Sequence, residues 1–170
     1  MMTNPPYELP TSESVFADAT DHAAAIPIYA VRGGDALAAI EELSALQRQW
    51  AVANDFKGSA KAHLQLPAGD GAISGVLFGL GSKATGEPCG PAELLLGSLP
   101  RQLPAGTYRL AGDWGNPELA SLAWGLGSYM FSAYKAKRGG ERARLALPTS
   151  VEAEHIRRVT SAIWLGRDLI

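Results

Sequence analysis

Short, uninterrupted apolar runs alternate along this chain with segments whose apolar residues recur at helical spacing, and that alternation admits few architectures. Residues 24–31 (Ala-Ala-Ile-Pro-Ile-Tyr-Ala-Val) form a continuous apolar run, as expected of a strand covered on both faces. Pro27 has no N–H to give a ladder, which places this strand near a sheet edge or at a bulge. Gly33-Gly34-Asp35 then breaks the chain, and Leu37, Ile40, Leu43, Leu46 and Trp50 trace one face of a helix. Residues 62–66 and 74–80 are further strands, with Gly69-Asp70-Gly71 as a hairpin turn between them.

The second half repeats the alternation. Residues 91–99 read as a short helix opened by Pro91 and stopped by Pro100. Residues 107–110 read as a strand. The clearest helix spans 116–138: Asn116 caps it, Pro117 takes the first position, and Leu119, Leu122, Leu126, Met130 and Ala133 line one face. Lys135, Lys137 and Arg138 precede the stop at Gly139-Gly140. Residues 143–147 form a strand, and Thr149 or Ser150 with Glu152 starts a last helix carrying Ile156, Val159 and Ile163. The expected fold is a three-layer α/β/α domain on a mixed, mostly parallel sheet. Residues 1–22, with Pro5, Pro6 and Pro10, read as a flexible arm, residues 23–148 as the domain, and 149–170 as a terminal helix.

Length and charge narrow the function classes. A chain of 170 residues suffices for one sizeable core. A net charge of −2 provides no basic field for nucleic acid or for an anionic membrane. No apolar run reaches membrane-spanning length, no signal-peptide pattern opens the chain, and a single cysteine, Cys89, forbids an internal disulfide. These features point to a cytoplasmic, soluble domain.

The candidate sites are sparse. Gly79-Leu80-Gly81-Ser82 follows a strand and could cradle a phosphate, but Ala84 and the absent Gly-Lys-Ser/Thr spoil both nucleotide fingerprints, so a tight structural turn is favoured. Asp18, Asp21 and His22 have metal-binding chemistry, yet such residues beside an incipient helix usually cap it. His63 and His155 stand apart from each other and from His22, in no metal-binding spacing. Cys89, between Pro88 and Gly90, reads as a loop thiol. Trp114, Trp124, Tyr129, Phe131 and Tyr134 could stack bases but lack a basic groove, so core packing is the expectation. No catalytic, cofactor-binding or metal-ligating residue is assigned.

Three segments resemble the N-terminal domain of the leucyl aminopeptidase (cytosol aminopeptidase) family. Val76-Leu77-Phe78-Gly79-Leu80-Gly81 is similar to the family's apolar strand ending in Gly-Leu-Gly. Residues 125–135 resemble its Tyr-x-Phe-Asp-x-Tyr-Lys signature, with Ser132 in place of the Asp. Gly166-Arg167-Asp168-Leu169-Ile170 resembles the beginning of its Ala-Arg-Asp-Leu-x-Asn-x-Pro segment. The resemblance implies a macro-domain-like, noncatalytic domain joined by a linker helix to a catalytic domain. That domain would hold two divalent ions (zinc, manganese or magnesium), whose bridged water attacks a peptide carbonyl, in a hexameric assembly. The ending on Leu169-Ile170, with no cap or polar tail, fits a first domain whose partner lies further along the chain. Ile163, Trp164, Leu165, Leu169 and Ile170 would then form a sticky patch causing weak self-association. The alternative is a free-standing macro-domain-like module binding ADP-ribose or a nucleotide.

Overall fold

A computed structural model describes residues 12–33, 40–82, 90–130 and 141–169. Six strands form one sheet: β1 (Phe16–Ala17), β2 (Ile26–Val31), β3 (His63–Pro67), β4 (Ile73–Gly79), β5 (Gly106–Ala111) and β6 (Ala143–Ala146), in spatial order β1-β6-β5-β2-β4-β3. All neighbours run parallel except the edge strand β3, which pairs antiparallel with β4. The sheet is therefore mixed and mostly parallel, as the alternating pattern requires. The helices are α1 (Ala45–Ala53), α2 (Pro117–Gly127) and α3 (Ala153–Asp168), and a 3-10 segment spans Ala92–Ser98.

Side chains alternate across the sheet, so each central strand feeds two cores. Ile28, Val76, Phe78, Tyr108 and Leu110 face a large cluster closed by Leu96, Leu99, Trp124, Ile156 and Trp164. Tyr29, Val31, Leu77 and Ala111 face a smaller one closed by Ile40, Leu43 and Ala51. Burial on both faces explains why these strands read as unbroken apolar runs. The β3–β4 hairpin closes as expected, with the Ala68 amide donating to Ala72 O at 2.7 Å, Asp70 Oδ1 accepting from the Ala72 amide and Gly71 at φ +86°.

Several expectations are corrected. Strand β2 lies in the middle of the sheet, not at its edge. Pro27 is tolerated because pairing with β4 begins only at Ile28, leaving the missing N–H at the strand's entrance. Residues 12–22 are not a loose arm. Val15, Phe16 and Ala17 are buried and β1 pairs with β6, while Ser12 Oγ donates to Arg157 O and accepts from Ser161 Oγ on α3.

Among the described residues, the helix carrying Leu46 and Trp50 begins at Ala45, after the irregular segment 40–43. Ser44 accepts from the Gln47 amide at 3.2 Å and the Gln47 side chain accepts from the Ser44 amide at 2.8 Å, a capping box that fixes the start at Ala45. Ile40 and Leu43 still fill the core, from irregular chain ahead of the helix, whereas Leu46 and Trp50 are exposed. Leu37 lies outside the described residues.

Helix α2 starts as read, with Asn116 Oδ1 accepting from the Leu119 amide and Pro117 in the first turn. It ends at Gly127, and 131–140 lie outside the described residues. Its buried face is Ala120, Ser121, Ala123, Trp124 and Gly125, not the leucine stripe, and Met130 is exposed. Small residues win that face because the backbone of α2 runs close to Ala92–Ser98. A Cβ on Gly97 would stand 2.9 Å from Ala123 O, and one on Gly127 would collide with Gly97 O. Glu152, not Thr149 or Ser150, occupies the N-cap position of helix α3, without a side-chain cap hydrogen bond, and the helix buries Ile156, Thr160 and Trp164 while Ile163 is exposed. Trp164 therefore leaves the expected sticky patch; Ile163, Leu165 and Leu169 remain in it.

Candidate functional site

Open α/β sheets bind ligands outside the carboxyl ends of their strands, where chain order reverses. Here that point lies between β2 and β5, because the chain leaves β2 toward β4 on one side and returns through β5 on the other. A crevice of about 410 Å³ opens there, lined by Ala30, Arg32, Ile40, Glu41, Glu42, Gly112 and Asp113. Its described lining carries three carboxylates against one guanidinium. That guanidinium is engaged, since Arg32 Nη2 donates to Glu93 Oε1 at 3.0 Å and Glu93 is itself buried. A phosphate entering this crevice would meet net negative charge at close range. The nearby Tyr29 phenol is pushed above its ordinary pKa, first by burial and then by Glu42, with Arg109 opposing.

The glycine turn after β4 is structural. The Gly79, Leu80 and Gly81 amides donate to Ala62 O (2.7 Å), Val31 O (2.8 Å) and Gly58 O (3.0 Å). These three amides are therefore committed to the fold and not presented to a phosphate. A side chain on Gly79 would strike the Gly58–Ser59 backbone, which gives the glycine its physical reason.

The remaining candidates are dispersed. Asp18 Oδ1 accepts from Arg157 Nη2 at 3.3 Å, and the Asp21 amide donates to Asp18 O. Among the described residues, no group of three His, Cys, Asp or Glu side chains could hold a metal ion, so Asp18, Asp21 and His22 do not fit a metal site. His63 sits half-buried on β3 opposite Phe78, and His155 Nε2 lies 3.8 Å from Glu118 Oε1. Cys89, Phe131, Ser132 and Tyr134 lie outside the described residues.

Trp114 and Trp124 build core, as expected. Every tryptophan indole N–H donates to a backbone carbonyl: Trp50 to Gln65, Trp114 to Ile28 and Ala111, Trp124 to Val15, and Trp164 to Gly125. Trp114 stacks on Phe78 with ring centroids 6.2 Å apart, and Trp124 tilts against Tyr108. The Tyr108 phenol, raised in pKa by burial, donates to Pro104 O.

One cluster escaped the sequence reading. Tyr129, just past α2, donates its phenol to Asp168 Oδ1 at 2.6 Å, and its ring packs against Trp164. Arg167 lies over that ring at 5.2 Å and donates to Leu126 O at 3.0 Å. The hydrogen bond to Asp168 is the main reason the Tyr129 pKa is raised, with desolvation and the carboxylate charge adding and Arg167 opposing. Leu126 and Tyr129 thus meet Arg167 and Asp168 in space, which brings together described parts of two of the three resembling segments. The clasp ties the end of α3 to the end of α2.

Residues 26–148 match the family described as M17 aminopeptidase, N-terminal domain. The chain belongs to this family. Among solved structures it is similar to the cytosol aminopeptidase of Coxiella burnetii, with 31% identity and a TM-score of 0.69, covering 85% of this chain and 31% of that one. A tomato leucine aminopeptidase mutant shares the fold at 16% identity and TM-score 0.51, over 84% of this chain and 34% of that one. The bottromycin maturation enzyme BotP in complex with Mn shares it at 15% identity and TM-score 0.50, over 86% and 30%. No curated protein matches the sequence. The M17 N-terminal domain here thus spans about a third of each solved chain it resembles. No helix among its described residues is long and apolar enough to cross a membrane.

Proposed function

We propose that this M17 domain is the noncatalytic N-terminal part of a longer, metal-dependent leucyl-type aminopeptidase, serving assembly and access to the active site. The observation that carries the reading is the 31% identity to a cytosol aminopeptidase over 85% of this chain but only 31% of that one. The reaction then belongs to the catalytic domain that follows. Two divalent ions (zinc, manganese or magnesium) in that domain would supply Lewis-acid activation for releasing N-terminal amino acids. Residues 149–170 are the linking helix, and the Tyr129–Asp168 clasp supports this by fixing where α3 ends. The partners are the chain's own catalytic domain and sister subunits of a cytoplasmic homo-oligomer, a hexamer by family likeness, with no nucleic acid or membrane. The carboxylate-lined crevice favours this reading over an ADP-ribose or nucleotide module. Leucine p-nitroanilide hydrolysis by the purified chain, with zinc or manganese added, is the test. The reading expects no release above buffer; turnover proportional to protein and abolished by chelation would overturn it.

A further inference from the structure

The opposite end of the sheet has the opposite charge. A second cavity of about 380 Å³ lies at the amino ends of β5 and β6, lined by Ser14, Gly106, Thr107, Glu141, Arg142 and Arg144. Arg142 and Arg144 are two residues apart at the entrance of β6, which puts them on one side of the extended chain. Arg144 Nη2 donates to Phe16 O at 2.8 Å, so its guanidinium is held in place, and its Nε is buried without a hydrogen-bond partner among the described residues. Among the described residues, neither arginine has a carboxylate within 4 Å. Arg101 borders an adjoining cavity of about 230 Å³ that shares Glu141 and Arg142. The two adjoining cavities are together lined by three arginines and one carboxylate, in a chain whose net charge is −2.

We infer that this notch binds a small oxyanion, a carboxylate or a phosphate monoester, through Arg142 and Arg144. A planar guanidinium matches both groups with paired N–H donors, and Thr107 lines the same cavity. Arg144 is half-buried and has no counter-ion among the described residues, so an anion seated beside it gains more than it would at a fully hydrated arginine. Glu141 opposes the ligand and sets an upper limit on affinity. The notch lies away from the switch-point crevice, and the inference does not depend on the proposed aminopeptidase role.

Inorganic phosphate titrated into the chain, with chloride adjusted to hold ionic strength constant, tests the site by amide chemical shifts. Saturable shifts are expected at Thr107, Arg142 and Arg144 below about 50 mM, with acetate reproducing the pattern. Arg142→Gln should weaken binding about five- to ten-fold and Glu141→Gln should strengthen it several-fold, the sizes expected of one nearby charge at a partly hydrated site. Neither side chain hydrogen-bonds to another described residue, and a retained, dispersed spectrum checks that each variant is folded. Shifts that grow linearly without saturation, an equal response to chloride, or unchanged affinity in both variants would overturn the site.

Discussion

Helix α2 rests on the Ala92–Ser98 segment through two glycines, and one methyl group added there tests the packing. Gly127 has no positive φ, so alanine there creates no backbone strain of its own. Its Cβ would run into the Gly97 carbonyl oxygen, an atom of backbone that cannot rotate away. Relief requires α2 to shift against the core that holds Trp124, an overpacking cost of about 1–3 kcal/mol. Replacing glycine in a helix returns about 0.5–1 kcal/mol, less at a terminus. The net expectation for Gly127→Ala is a loss of about 1–2 kcal/mol, or roughly 2–8 °C in Tm for a domain of this size. Gly166→Ala is the matched control, because that exposed glycine on α3 has nothing within 4 Å of a new Cβ. It should gain up to about 1 kcal/mol. Urea unfolding with an unchanged m-value reads both effects as stability. Equal stability of Gly127→Ala and the parent chain would refute the close approach of α2 to Gly97.

Three further outcomes follow from named contacts. The raised Tyr129 pKa means that the protonated phenol is preferred in the fold; its contribution is complete below the ordinary value near 10 and is lost as pH rises through the folded value. Alkaline unfolding of Tyr129→Phe should therefore lose the part of the parent's pH dependence above pH 10, and an unchanged profile would contradict the clasp. Thr160 Oγ1 is buried without a partner among the described residues, so Thr160→Val should be neutral or stabilising by about 1 kcal/mol in thermal melts; a loss of that size would reveal a bond the hydroxyl makes. Ser44→Ala removes half of the capping box and should cost about 1 kcal/mol by urea denaturation, whereas no cost would mean that α1 starts elsewhere.

Local chemistry made parts of the fold legible. The β3–β4 hairpin, the Asn116-Pro117 start of α2 and the doubly buried strands each follow from residues adjacent in sequence. The errors arose where tertiary contacts overrode a local pattern. Leu119, Leu122 and Leu126 have ideal helical spacing, yet a backbone approach that only glycine and alanine permit selected the other face. Val15 and Phe16 sit among polar residues and prolines, and distant partners on β6, α2 and α3 order that segment. For the candidate site, the amides that close the Gly79–Gly81 turn go to residues 31, 58 and 62, which no motif inspection reveals. The Tyr129–Asp168 contact links residues 39 apart, so its members were visible as motifs while their meeting was not.

The central claim is that this M17 domain belongs to a longer aminopeptidase whose chemistry lies elsewhere in the chain. Reading the encoding gene across codon 170 tests it most directly. The account predicts an open frame that continues with Asn-x-Pro and then a domain rich in Lys, Asp and Glu metal ligands. A stop codon directly after Ile170 would contradict it.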